Sequence, residues 1–260
     1  MKYLTGILLV FICHVGYSQL TYFNHFEKEA LRIDILMAGE KGEEMIFLDD
    51  LKKEDGWPGP ANHLVSPFGY GFYQVEVTDT LKERTLYSRG FSTLFQEWQT
   101  TDDAGKEARA FRHTIRVPFP VHEVVVRIIR RDHDEVLWEK QIAPDNYFIR
   151  DEKPAGAEVV QIMDGGDPSR SVDLAFIAEG YRQEEMDKFE KDVRRMAEYI
   201  LSQKPFNKYR NRFNVFGVKA VSRESGTDIP GEQVYKNTAL NTRYYTFDVP
   251  RYLTTFDTER

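Results

Sequence analysis

Beyond the first eighteen residues, the side chains suited to metal or acid–base chemistry are five histidines: His25, His63, His113, His122 and His133. None stands at H-x-H, H-x₃-H or H-E-x-x-H spacing, so no helix or strand presents two of them together to a zinc ion. His113 alternates in register with Phe111 and Ile115 and reads as a core or edge histidine with a satisfied hydrogen bond; His133 falls in a turn and His122 follows Pro120. Between Asp151 and Arg260 there is neither histidine nor cysteine. Hydroxyl nucleophiles have no G-x-S-x-G elbow, and Ser225 would need a base from the other domain. The stretch Asp164-Gly165-Gly166-Asp167 reads as a turn or a calcium loop. It lacks the alternating acidic ligands and closing glutamate of an EF-hand loop, which favours the turn. Glu179-Gly180-Tyr181 ends a strand and opens a helix, but no G-x-G-x-x-G or Walker pattern follows to hold a nucleotide.

The elements that would position these groups change character along the chain. From Gln19 to about Ile142 the pattern has period two. Leu31, Ile33, Ile35 and Met37 alternate with Arg32 and Asp34 as in a half-buried strand. Further strands are expected at Met45 to Leu48, Gly71 to Val77, Phe111 to Val117 and Val121 to Arg130. The last leads through a turn into Glu135 to Ile142 as a hairpin. Asp55 to Pro60, with two prolines and two glycines, is neither helix nor central strand. Short strands separated by turn signals predict a β-sandwich over residues 19–144. Residues 145–170 are rich in Pro, Gly and Asp and read as a linker holding one short strand, Glu158 to Met163. From residue 171 the period changes. Val172 to Ile177 is apolar on both faces apart from Asp173, as in a central strand. Gln183 to Lys204 is an amphipathic helix with Met186, Phe189, Val193, Met196, Ala197, Ile200 and Leu201 on its stripe. Glu184/Lys188, Asp187/Lys191 and Glu190/Arg194 are acid-before-base pairs at i,i+4, and Pro205 stops the helix. Phe213 to Val221 is again apolar, which makes a βαβ unit with parallel strands.

The chain has 260 residues, 41% of them hydrophobic and 30% charged, with a net charge of −7. That is globular composition, and the acidic balance argues against a broad nucleic-acid surface. Residues 1–18 read as a cleaved signal peptide: Lys2, an apolar run from Leu4 to Cys13, then Gly16 and Ser18 before Gln19. The run is about half the ~20 apolar residues that a membrane span needs. Cleavage removes Cys13, the one cysteine, so the mature chain is expected to hold no disulfide and no thiolate zinc site.

The second half resembles the start of the catalytic domain of the IgA-protease-like zinc metallopeptidases, metallopeptidase family 64. The resemblance is carried by "VDLAFIAEGYRQEEMDKFEKDV", "KPFNKYRNRFNVFGVKAVSRESGTDIP" and "NTRYYTF". The family's ordered series falls on Gly180-Tyr181, Phe189, Pro205-Phe206 with Tyr209, Phe213-Asn214-Val215, and Ser222 with Ser225-Gly226, Asp228 and Pro230. The first half is similar to the β-rich domain that precedes the peptidase domain in Bacteroidetes members. The resemblance implies zinc hydrolysis, in which an H-E-x-x-H helix supplies two ligands and a glutamate base and the metal activates water. No position here corresponds to a zinc ligand or to that glutamate, so no catalytic or metal residue is assigned.

The expected fold class is therefore α+β in two parts, an N-terminal all-β sandwich followed by an incomplete zincin-like βαβ peptidase subdomain over residues 171–260. The expected function is that of the front portion of a truncated, exported zinc endopeptidase, periplasmic, at the cell surface or secreted, and inactive as this chain. Ser222, Ser225, Gly226 and Asp228 are its substrate-cleft candidates. No cofactor is assigned to this chain, zinc being implied for the full-length family. The expected partner is a protein or peptide substrate of the full-length form, with no nucleic acid and no membrane after signal cleavage. The alternative is a non-catalytic secreted binding module for glycan or protein, in which Trp57, Tyr70, Tyr73 and Trp98 form a platform instead of packing in a core.

Overall fold

The computed structural model describes residues 22–81, 84–153, 156–167 and 170–257. The predicted signal peptide lies outside the described residues. The chain divides into two compact units, one running to Pro154 and the other from Ala155, and its fold class is α+β.

Among the described residues the first unit is built from eight strands. β1 (Phe26–Glu40) and β2 (Glu43–Glu54) pair antiparallel, β5 (Arg109–Pro120) flanks β1, and β8 (Ile149–Glu152) runs parallel beside β2, giving the order β5-β1-β2-β8. The second sheet has the order β4-β3-β6-β7, with β3 (Tyr73–Asp79), β4 (Thr85–Phe91), β6 (Val124–Arg130) and β7 (Glu135–Ile142) all antiparallel. Period-two alternation buries Leu31, Ile33, Ile35 and Met37 from β1 together with Val75, Val77, Val126 and Ile128 from the second sheet. A five-residue helix, α1 (Leu94–Trp98), starts where the Thr93 hydroxyl accepts the Gln96 amide at 3.1 Å; it buries Phe95 and Trp98 beside Phe111. Buried Tyr73 donates its hydroxyl to Glu44 at 2.6 Å and Arg130 reaches the same carboxylate at 2.9 Å, tying β3 and β6 to β2. Burial and then Glu44 push the Tyr73 phenol far above its ordinary range.

The four aromatics proposed for a platform separate into two pairs. Tyr73 and Trp98 are wholly buried, whereas Trp57 is half-buried and Tyr70 is exposed. The segment read as a linker holds two strands that join different sheets. β8 extends the first unit's sheet to Glu152, and β9 (Glu158–Met163) belongs to the second unit. The β8 segment, Ile149 to Glu152, alternates too briefly to register as a strand on its own; its partner β2 supplies the order.

In the second unit β10 (Val172–Ile177) pairs parallel with β11 (Phe213–Lys219), and β9 pairs antiparallel with the far side of β11. The order is thus β10-β11-β9. This corrects the expectation for Val172 to Ile177: it is an edge strand, with Val172 and Ile177 about half exposed. Its unbroken apolar run matched a central strand, but β9 claims the other side of β11 and leaves β10 outermost. The helix begins as a 3₁₀ turn over Gln183–Glu185 and continues as α2 (Met186–Ser202). It buries Met186, Phe189, Val193, Ala197 and Leu201 against Phe213 and Val215, while Met196 turns outward. Glu190 pairs with Lys219 of β11 at 2.8 Å, and Asp192 takes Lys188 and Arg195 at 2.9 and 3.0 Å. Tertiary and local partners thus compete with the i,i+4 pairs read from the sequence.

His113 of β5 lies with its ring stacked on Phe91 of β4, centroids 5.2 Å apart. Burial pushes its pKa down to about 4. The folded value lies below the ordinary histidine value near 6.5, so the unfolded chain binds the proton more tightly. The associated stability is complete above about pH 6.5 and is lost as the pH falls towards 4. We expect thermal melts between pH 7 and pH 4.5 to show a loss of up to about 3 kcal/mol, and a His113→Gln variant to lose less over the same range. An equal loss in both would assign the acid sensitivity to other groups.

Candidate functional site

The residues singled out near the peptidase-like turn converge at the end of β10. Gly180 follows the strand with φ +72°, a left-handed conformation, and a Cβ there would run into the Gly226 backbone carbonyl. Glycine is therefore required for the turn. The Gly226 amide donates to the Gly180 carbonyl at 3.0 Å, closing the loop from Ser222 onto the turn. Ser222 is buried, and its Oγ accepts the amides of Gly180 and Ala239, each at 3.0 Å. Its own amide donates to the Tyr181 carbonyl at 2.8 Å. Ser225 donates its hydroxyl to Glu185 at 3.0 Å. Asp228 Oδ1 accepts the Lys236 amide at 2.6 Å, and the Asp228 backbone bonds to Thr242 and Tyr244.

The centre of the cluster is a residue that the sequence reading noted only as part of a turn. The Glu179 carboxylate accepts the Thr238 hydroxyl at 2.5 Å, the Thr242 hydroxyl at 2.8 Å, and the amides of Leu240 and Thr242 at 2.8 and 3.1 Å. Burial alone would raise its pKa; the bonds from Thr238, Thr242 and Leu240 outweigh that and hold it below the ordinary carboxylate value. Glu179 is thus ionised, with three donors on Oε1 and one on Oε2, an arrangement that suits an anchor for the loops that supply them. Ser222, Ser225, Gly226 and Asp228 are brought together, and the contacts they make set the shape of the loop. No side chain here pairs a nucleophilic hydroxyl with a free base: Ser225 faces Glu185, whose pKa is lowered by the Arg182 amide and by Ser225 itself.

The Asp164–Asp167 stretch is a turn. Asp164 Oδ1 accepts the Gly166 amide at 2.8 Å, and buried Asn214 accepts the Gly165 amide at 2.7 Å while donating to the Gly166 carbonyl and to Asp173.

Family models decide what this arrangement belongs to. Residues 21–141 match the model described as Peptidase M64 N-terminus, and residues 160–260 match the model described as IgA Peptidase M64. The chain belongs to the M64 family of IgA-type peptidases. The two M64 matches fall on the two compact units in the same order. No curated protein matches the chain. For an M64 peptidase the donor set in these residues does not fit a catalytic zinc. Among the described residues no three His, Cys, Asp or Glu side chains cluster to hold a metal, and all five later histidines lie in the first unit. No step through a metal is therefore derived from these residues.

Proposed function

We propose that this chain supplies the N-terminal β-sandwich and the substrate-facing wall of an exported, zinc-dependent M64 endopeptidase, and that these 260 residues alone hydrolyse no peptide bond. The observation that carries this reading is the pair of M64 matches in family order on a sequence that contains no H-E-x-x-H. The Glu179 anchor supports it in a second way, because it rigidifies the loops from Ser222 and from Thr238 at one end of the sheet. A cleft wall that meets a peptide must be held in shape before the substrate arrives. α2 covers one face of that sheet, while Val159 and Ile177 remain half exposed. An open apolar face of this kind suits a unit to which a further layer of peptidase is added.

The test is hydrolysis of a broad set of quenched-fluorescence peptides by the purified chain with zinc added. We expect no cleavage that a chelator removes, and a polypeptide joining these residues to an H-E-x-x-H helix is expected to cleave in a chelator-sensitive way. Chelator-sensitive turnover by the chain alone would overturn the proposal. Export is checked by N-terminal mass spectrometry of the protein outside the cytoplasm, where the expected first residue is Gln19; an intact Met1 would contradict it.

A further inference from the structure

The edge strands of the two sheets, β4 and β5, come together without pairing, Phe91 of β4 against His113 of β5, while Ser88 of β4 bonds to Leu64 and Ser66. Tyr87, Arg89 and Phe91 of β4 stand opposite Val77, Val75 and Tyr73 of β3, all three buried. Arg89 therefore occupies a core-facing register position, yet it is exposed, and no ion pair involves it among the described residues. Beside it the Tyr87 hydroxyl is buried, and Arg89 is the charged group that acts on it.

These groups line a cavity of about 370 Å³. One wall is the stacked pair Phe91–His113. The other is Trp57, which lies edge-on to Tyr87 with centroids 5.6 Å apart. Trp57 is held there by its backbone amide on the Lys28 carbonyl and its indole N–H on the Pro60 carbonyl, and its ring covers Gly59, where a Cβ would collide with it. The cavity is thus a prepared slot: two aromatic walls and two guanidiniums, of which Arg116 is held by Glu54 and Arg89 is in no ion pair among the described residues.

We propose that this cleft binds a peptide segment that sets a carboxylate on Arg89 and an aromatic or aliphatic side chain between Trp57 and the Phe91–His113 stack. The carboxylate matches the planar donor fork of an arginine that has no ion-pair partner among the described residues. A peptide is favoured over a sugar by the rest of the lining. The four successive residues His113 to Arg116 border the cleft, so β5 approaches it along its backbone edge, and β5 is the outermost strand of its sheet. That edge offers main-chain hydrogen bonds to an extended chain. The side-chain groups a sugar would use are occupied: the Thr114 hydroxyl donates to Asp34 at 2.7 Å, and Arg116 grips Glu54 through two nitrogens. This site lies within the first unit and does not depend on peptidase activity, so it stands or falls by binding alone.

The experiment is fluorescence anisotropy with the full mature chain and an end-labelled hexapeptide ending in Phe-Glu, its fully amidated counterpart, and tetragalacturonate as an acidic sugar. We expect the acidic peptide to bind with salt-sensitive affinity and amidation to weaken it about tenfold or more. Arg89→Gln, at an exposed position, should weaken the acidic peptide by a similar factor and leave the amidated one unchanged. No binding at millimolar peptide, equal binding of acid and amide, or indifference to Arg89→Gln would each overturn the proposal. Binding of tetragalacturonate in place of the peptide would overturn the peptide assignment and give the slot to an acidic sugar.

Discussion

Replacing Glu179 by alanine is expected to cost the second unit about 3–5 kcal/mol, a large share of the stability of an ordinary domain. Two hydroxyls and two backbone amides converge on this carboxylate, and hydrogen bonds to an ionised acceptor contribute about 1.5–3 kcal/mol each. The four do not add in full, because the site is half-buried and water recovers part of the loss. Glu179→Gln keeps an acceptor oxygen but loses the charge, and its expected cost is about 1–2 kcal/mol. Denaturant titration of the full chain measures both, and hydrogen exchange localises the effect to the amides of Leu240 and Thr242. The pH dependence has a defined sign. The folded carboxyl titrates below its unfolded value, so its contribution is present above the ordinary glutamate range and disappears as the pH falls through the lower, folded value. A Glu179→Ala chain within about 1 kcal/mol of the parent would remove Glu179 from the centre of this loop system.

That anchor was hidden in the sequence for a physical reason. Its donors lie at Thr238, Leu240 and Thr242, 59 to 63 residues away, and no periodicity links a strand end to a loop at such distance. What periodicity does encode was legible. The alternation of Leu31, Ile33, Ile35 and Met37 marked β1, and the spacing of Met186, Phe189, Val193, Ala197 and Leu201 marked the buried stripe of α2. Failures followed where a partner outside the local window decides the outcome. β10 has the composition of a central strand, but β9 takes the far side of β11 and leaves it at the edge. β4 escaped notice because Arg89 breaks its alternation at a position its neighbours use for the core. The residue that obscured the strand is the one that makes the slot. The substrate-cleft candidates Ser222, Ser225, Gly226 and Asp228 were found together because one contiguous loop carries them, but only the structure assigns Ser222, Gly226 and Asp228 to backbone contacts and Ser225 to the Glu185 carboxylate.

Asp34→Ala is expected to destabilise the β-sandwich by about 3–5 kcal/mol, for a reason opposite to that at an exposed ion pair. Alternation puts Leu31, Ile33 and Ile35 in the core, so Arg32 and Asp34 belong to the other face of β1; both are nonetheless almost fully buried. Asp34 accepts Arg32 Nε at 2.8 Å and the Thr114 hydroxyl at 2.7 Å, and Lys52 Nζ stands 3.7 Å away. Glu54 reaches Arg32 at 3.5 Å and Glu152 of β8 reaches Lys52 at 3.3 Å. Removing the aspartate leaves buried Arg32 with only the more distant Glu54, at 3.5 Å in place of 2.8 Å, while Lys52 keeps Glu152 at 3.3 Å, and the under-compensated Arg32 charge carries most of the cost. It follows that removing charge in pairs should be cheaper than removing it singly. The double variant Arg32→Met with Asp34→Leu is expected to lose less stability than Asp34→Ala alone, because apolar side chains of similar volume need no ionic partner. Denaturant midpoints of the two variants decide the matter. A double variant as damaged as the single one would show that the network contributes through its hydrogen bonds across β1, β2 and β5 and not through charge balance. Glu152→Gln separates the strand that completes the network: a small loss places β8 at its rim, whereas a loss near that of Asp34→Ala would make β8 part of the sandwich's stability.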